Sequence, residues 1–243
     1  MGRGRNPGRA DGFFGELTRR GAHFGHTPDM IVTRHGHACL LIESTSSRVL
    51  VDPGTFTSSW QELTDLDAIL ITHQHADHAD VANLPALVAA NQQAQVVAEA
   101  AVAGMVSGLS PVTARVGETI DLGDVSVEML GGEHALLHPR IPGVGNIGYL
   151  FRERGGPSLF HPGDSYDVTP SGTDVLALPL VAPWASAAMT IDFANAVSPQ
   201  KAIPIHDFFL NETGRATWMR ICGSAIDDTV SIDDPVPGEP YTL

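Results

Sequence analysis

The sequence contains only two cysteines, Cys39 and Cys222, among 243 residues. They lie far apart in the apolar stretches "ACLLIE" and "WMRICG". Neither has the Cys-x-x-Cys spacing of a redox or zinc pair, so the cysteines argue for buried thiols in a reducing compartment. Long apolar runs are also absent, and no segment reaches the length of a bilayer span. The opening "MGRGRNPGRADGFFGELTRRGAHFGHTPD" carries arginines but no apolar core of a secretory signal. It is read as a flexible extension over residues 1–29, with His23 and His26 as local surface histidines, and the protein is expected in the cytoplasm. Basic residues are scarce: 14 Lys and Arg stand against 28 Asp and Glu, a formal net charge of −14. That balance disfavours nucleic acid and anionic membranes as partners and leaves a small molecule. No P-loop, nucleotide-binding glycine loop or Ser-nucleophile elbow is present, and "GVGNIG" reads as a turn.

What remains is an ordinary globular composition, 43% hydrophobic, in a chain long enough to bury a sizeable core. From Met30 onward the pattern is strand-rich. "MIVTRHG", "HACLLIES", "SRVLVDPG" and "LDAILITH" read as strands, followed by a helix through Asn83 to Ala90. "AQVVAE" is a strand and "AAVAGMVSGL" a short helix, and "TARVGETIDLGDVSVEML" reads as two strands. The second half has the same character: strands at "NIGYLFRE", "PSLFHPG", "TDVLALPL" and "KAIPIHDFF", with helices at "AAMTIDFANAVS" and "ETGRATWMRICG". The acidic, Pro-rich tail reads as a weak strand or surface coil. The pattern predicts an α+β fold, two sheets packed face to face with helices outside, counted as one domain over residues 30–243.

"THQHADHAD", residues 72–80, lies where the strand "LDAILI" hands over to a helix, a common place for chemistry in such folds. It brings His73, His75, Asp77 and His78 together. Neutral imidazoles and carboxylates suit zinc, iron or manganese. Polar groups crowded at the end of a buried strand cost desolvation energy unless they gain a partner. The alternative is a His-rich surface turn, which the exit from an apolar strand opposes. Further donors follow other apolar runs: His134 after "VSVEMLGGE", Asp164 in "SLFHPGDS", and His206 after "KAIPI". Singly, each reads as structural or surface. Together they supply both halves of a binuclear site.

"THQHADH" resembles, at every position, the His-x-His-x-Asp-His signature of the metallo-β-lactamase superfamily, and the resemblance runs from Met30 to about Gly223. It implies a four-layer αββα fold and two divalent metal ions, with Zn2+ first and Mn2+ or Fe as alternatives. His73, His75 and His134 would hold one ion. Asp77, His78 and His206 would hold the other, with Asp164 between them and room for a bridging hydroxide. Asp77 and Asp164 would also orient the attacking water. Asp52, in "LVDPG", would fix a ligand imidazole from behind, or make an Asx turn with Pro53. "RHGHACLLIE" and the stretch "EHALLHPRIPGVGNIGY" resemble the subgroup that contains ascorbate-6-phosphate lactonase. On that resemblance His37 and His138 are candidates to relay a proton, and His35, Arg140 and Asn146 to contact substrate or support the ligands. Backbone-bonding or surface roles are the alternatives for each. His161 is read as strand-end structure, Ser165 as a pocket-shaping residue or a partner of Asp164, and Trp184 as a cleft wall or core residue.

Other branches fit less well. No cysteine stands near Asp164, as the β-lactam hydrolases of this fold would require. His75 replaces the glutamate of the flavodiiron reductases, and the tail is acidic where glutathione thioesterases are basic. The implied activity is a metal-dependent hydrolase acting on a lactone or small ester. Only Arg140 is well placed for a phosphate. A phosphodiesterase, a thioesterase or a non-enzymatic binding protein on the same fold is the alternative. Self-association is left open.

Overall fold

The computed structural model describes Met1 and residues 30–106 and 111–243. The expected extension, with His23 and His26, lies apart from Met1 outside the described residues, as does the end of the helix read over residues 100–109. The first half forms β1 (Ile31–Gly36), β2 (Cys39–Glu43), β3 (Arg48–Val51), β4 (Ala68–Ile71), α1 (Leu84–Ala90), β5 (Gln95–Ala98), α2 (Ala100–Ala103) and β6 (Val112–Thr113). The second half forms β7 (Thr119–Leu122), β8 (Val125–Glu133), β9 (Gly145–Glu153), β10 (Ser158–His161), β11 (Val175–Pro179), α3 (Ala187–Val197), β12 (Lys201–Ile205) and α4 (Glu212–Gly223). The tail adds β13 (Ser231–Ile232) and β14 (Pro240–Thr242).

Two seven-stranded sheets result, ordered β14-β1-β2-β3-β4-β5-β6 and β13-β12-β11-β10-β9-β8-β7. The strand period of two decides which residue faces which layer. In β4, Ala68 and Leu70 enter the core between the sheets, while Ile69 and Ile71 face outward under α1 and α2. In β11, Val175 and Ala177 face the central core, and Leu176 and Leu178 face outward with Phe193 of α3 and Cys222 of α4. Strands buried on both faces read as unbroken apolar runs, as "AILI" and "VLALP" do. Each large side chain so buried stabilises the fold by roughly 1.5–3 kcal/mol relative to exposure. The architecture is the four-layer αββα arrangement expected. The tail strands close one edge of each sheet, β14 antiparallel on β1 and β13 parallel on β12.

The topology gathers the polar strand ends. β1 and β3 are both antiparallel to β2, and β4 is parallel to β3, so β1, β3 and β4 run the same way. Their C-terminal ends release His37, Asp52 and His73 at one rim of the first sheet. In the second sheet β8 and β10 are both antiparallel to β9, and β12 follows β11 and β10 in parallel. Their ends release His134, Asp164 and His206. Bonds between the sheets hold the two rims together: the Ile147 N–H donates to the Thr72 carbonyl at 2.9 Å, the His206 N–H to the His37 carbonyl at 2.9 Å, and the Tyr149 hydroxyl to the Ile71 carbonyl at 3.0 Å.

Candidate metal centre

The stretch from 72 to 80 is a loop, not a helix, so His73, His75, Asp77 and His78 converge instead of lining one helical face. Two groups of donors form. His73, His75, His134 and Asp164 make one, and His37, Asp77, His78 and His206 the other, with the donor atoms of each group within 4.8 Å of one another. Asp164 joins them. Its Oδ1 lies 3.2 Å from both His78 Nε2 and His206 Nε2, and its Oδ2 lies 3.4 Å from His134 Nε2. One carboxylate therefore turns an oxygen toward each group.

The outer nitrogens of the imidazoles are committed elsewhere. His78 Nδ1 donates to Asp52 Oδ2 at 2.7 Å, His134 Nδ1 to the Ala135 carbonyl at 2.6 Å, and His206 Nδ1 to the Val181 carbonyl at 2.7 Å. His73 Nδ1 meets the Thr72 hydroxyl at 2.9 Å, and that hydroxyl donates to Asp52 Oδ2 at 2.8 Å. These bonds place the proton on Nδ1 and turn the Nε2 lone pair inward, which is what a metal ligand requires. The inward atoms His78 Nε2, His134 Nε2, His206 Nε2 and Asp164 Oδ1 are buried without a hydrogen-bond partner. His73 Nε2 and His75 Nδ1 face each other at 3.0 Å. Leaving such atoms unpaired costs about 1–3 kcal/mol each. A cation between them would satisfy all of them, so the donor set fits two divalent ions.

The electrostatics differ between the rings: burial opposes charge on His78, but Asp164 and Asp52 hold it well above the ordinary imidazole value, so an ion would displace its Nε2 proton. Burial pushes His73 well below the ordinary imidazole value, with neighbouring His78 adding to the effect, and burial and His134 lower His75. These rings are neutral donors. Burial would raise the Asp164 carboxyl, but His78 and His206 hold it well below the usual carboxylate range. Burial opposes ionisation of Asp77 too, yet the bond from His37 and the charge of His78 bring it down to about 2.

Backbone strain concentrates here. His37, Asp52 and His206 adopt left-handed φ of +51°, +50° and +57°, three of the five non-glycine residues with positive φ among those described. Such conformations cost roughly 1–3 kcal/mol each and persist where surrounding contacts enforce them. Gly54 is required by close approach: a Cβ there would overlap the Asp77 carbonyl. The loop after β3 thus packs directly on the donor loop, held by Thr55 N–H to Ala76 O at 2.8 Å and Asp80 N–H to Pro53 O at 2.9 Å.

The remaining candidates separate. Asp52 is fully buried behind His78, and its Oδ1 accepts the Thr72 N–H at 2.8 Å. Asn146 is buried and braces the turn that presents Asp164. Its Oδ1 accepts the Asp164 N–H at 2.9 Å, and its Nδ2 donates to the Pro162 carbonyl at 2.9 Å. His161 bridges strand ends, donating to the Ala38 carbonyl at 2.9 Å. His37 sits behind Asp77, its Nε2 3.2 Å from Asp77 Oδ2 and its ring 4.0 Å from that of His206. An open cleft of about 310 Å³ lies over the donors, with Leu137, Pro183, Trp184 and Phe209 among its walls. His138 and Arg140 are exposed on the loop after β8 and do not line that cleft. His35 faces a neighbouring groove of about 950 Å³, where its Nδ1 meets the Ser59 hydroxyl at 3.1 Å.

Two features escape sequence reasoning. His37 belongs geometrically to the second donor group, and the Trp184 indole N–H donates to Asp164 Oδ2 at 3.0 Å. Trp184 is both cleft wall and support for the shared carboxylate. Nothing local to "APWASA" signals that bond, although the glycine-histidine pair before β2 does single out His37.

The family model of the beta-lactamase superfamily domain matches residues 31–206. Protein Rv0786c of Mycobacterium tuberculosis is 40% identical over 190 residues, spanning 78% of this chain and 89% of that protein. UPF0173 protein PF0020 of Pyrococcus furiosus is 32% identical over 181 residues, spanning 70% and 80%. The structure of Igni18, a metallo hydrolase of Ignicoccus hospitalis, superposes with a TM-score of 0.69 at 15% identity, covering 88% of this chain and 98% of that one, a likeness of fold. With the matched model spanning both sheets and every donor from His37 to His206, the chain belongs to the metallo-β-lactamase superfamily.

Proposed function

We propose that the protein is a binuclear metal-dependent hydrolase of lactones or small esters. The observation that supports this most is the two-sided placement of Asp164, one oxygen toward each of two imidazole groups whose inward nitrogens are unpartnered. In this reading His73, His75 and His134 hold one ion, Asp77, His78 and His206 hold the other, and Asp164 serves both. Two divalent ions, zinc by preference, supply Lewis acidity toward a carbonyl oxygen and make water nucleophilic near neutral pH.

The chain's own residues do the rest. Asp52 and Thr72 fix the tautomers of His78 and His73. Trp184 holds the Asp164 carboxylate and Asn146 its backbone N–H. His37 holds Asp77 by its hydrogen bond and is the imidazole nearest that carboxylate for passing a proton. Asp77 titrates near 2, so it is no protonated acid at neutral pH. A lactone suits such a site because its leaving oxygen stays tethered. No guanidinium or ammonium lines the cleft among the described residues, which favours a carbonyl over a phosphodiester. No helix among the described residues is long and apolar enough to cross a membrane. A rate panel on zinc-loaded protein across lactones, thioesters, β-lactams and phosphodiesters tests the reading. Lactones or simple esters should lead. Phosphodiester turnover well above lactone turnover would reverse the assignment.

A further inference from the structure

We infer that the cleft selects an uncharged substrate whose acyl or alcohol part carries an extended apolar group, seated on Leu137, Trp184 and Phe209. The inference rests on the hydrolase reading for its chemistry and on the walls of the cleft for its specificity.

Two donors are each followed by apolar residues left in solvent. After His134 come Leu136 and Leu137, 64% and 37% exposed. After His206 come Phe208 and Phe209, 57% and 50% exposed. Such side chains favour burial, and two of them, Leu137 and Phe209, border a polar pit, as at a ligand surface. The pit fixes the ligand's reactive group, because the cleft floor is His75, Asp77, His134, Asp164 and His206. The aromatic wall continues away from the floor: Phe209 lies 5.7 Å from the His206 ring and 5.5 Å from Phe56, and Phe56 lies 5.1 Å from Phe208. Trp184 also lines the cleft, its ring 6.1 Å from that of His134. An apolar chain leaving the reacting carbonyl would therefore run along these rings.

Charge excludes an anionic tail. Arg34 and Arg215, in the neighbouring groove, are both bonded to Asp207 and Asp234 at 2.7–2.9 Å. Lys201, the single lysine of the sequence, begins β12, the strand whose far end releases His206. Apart from the ions that the donors would hold, the cleft offers a substrate carboxylate or phosphate no counter-ion, in a protein of net charge −14.

The test compares two unreactive ligands by isothermal titration into zinc-loaded protein: N-hexylacetamide, and 6-acetamidohexanoate, which differs by a terminal carboxylate. N-hexylacetamide should bind at least about tenfold more tightly, and Phe209→Ser and Leu137→Ser should each weaken it about three- to tenfold while zinc content stays at the wild-type level. In parallel, kcat/KM for neutral nitrophenyl esters should rise up to about fourfold per added methylene. Equal binding of the two amides, or tighter binding of the carboxylate, would overturn the inference while leaving the hydrolase reading intact. Binding of the neutral amide without hydrolysis of any ester would sink the hydrolase reading and keep the apolar site. Sedimentation velocity covers the rival occupant: a wild-type dimer that Phe209→Ser dissociates, with neither amide bound, would assign the patch to a second copy and overturn the proposal.

Discussion

Replacing Asp52 by asparagine changes one oxygen into an amide nitrogen and leaves the shape nearly intact, so its effects isolate the charge and the hydrogen-bond sense. Asp52 Oδ1 accepts from the Thr72 backbone, and Oδ2 accepts from both the Thr72 hydroxyl and His78 Nδ1. If the asparagine oxygen keeps the backbone bond, its NH2 faces the Nδ1–H of His78, donor against donor. The hydroxyl of Thr72 can rotate to accept; His78 cannot, and must move its proton to Nε2. That proton then points at Asp164 and removes the lone pair from the second donor group. Loss of an outer partner of this kind typically costs about 10–100-fold in metal affinity. The lost charge-assisted bond is worth about 1.5–3 kcal/mol, and about 2 kcal/mol corresponds to a Tm lower by roughly 4–8 °C in a protein of this size. Competition titration with a chromophoric zinc chelator reads the affinity of the second equivalent, and differential scanning calorimetry of the metal-free protein reads the Tm. An Asp52→Asn protein that binds both equivalents as tightly as wild type would refute the tautomer argument.

Other substitutions discriminate among the roles assigned. Asp164→Asn should weaken retention of both ions and hydrolysis together, whereas His35→Ala, whose ring faces the neighbouring groove, should be mild in elemental analysis and rate; equal small losses would remove Asp164 from the centre. Gly54→Ala forces the 76–78 backbone away and should destabilise by about 1–3 kcal/mol or more, with weaker binding of the second ion, as urea unfolding and metal titration would reveal. The Arg34–Asp207–Arg215–Asp234 network predicts an acid-sensitive contribution. Arg215 hydrogen bonds hold Asp234 below the usual carboxylate value. A depressed folded pKa gives stability that is present above the unfolded value, about 3.9, and is lost as pH falls through the folded one. Melting curves from pH 6 to 3 should steepen below about pH 4 in wild type and less so in Arg215→Met; identical slopes would mean the network is inert.

The unbroken apolar runs announced both sheets because a strand buried on two faces leaves a continuous signal in sequence. The donor loop was legible for the same reason: "THQHADH" compresses four donors into one strand exit. Asp52 was legible as the support of a ligand imidazole and Asn146 as a candidate support, but the other pairings were not. Asp164 depends on Trp184, 20 positions away; Asp77 meets His37 across 40. Such pairs exist only once the sheets face each other. The tail read as weak strand or coil because β13 and β14 are edge strands of two and three residues, whose pairing is decided by the strands they join. The loop after β8 illustrates the opposite limit. The resemblance of their stretch offered His138 as a proton relay and Arg140 as a substrate contact, but the loop carries both to the surface and turns Leu137 into the cleft.

The central claim is that two ions bind between the imidazole groups and that hydrolysis depends on both. The direct measurement is stepwise zinc titration of chelator-stripped protein, with bound metal by elemental analysis and lactone hydrolysis followed at each step. The account predicts saturation at two equivalents per chain, with the rate rising as the second is filled. Saturation at one equivalent with full activity, or full activity in the stripped protein, would contradict it.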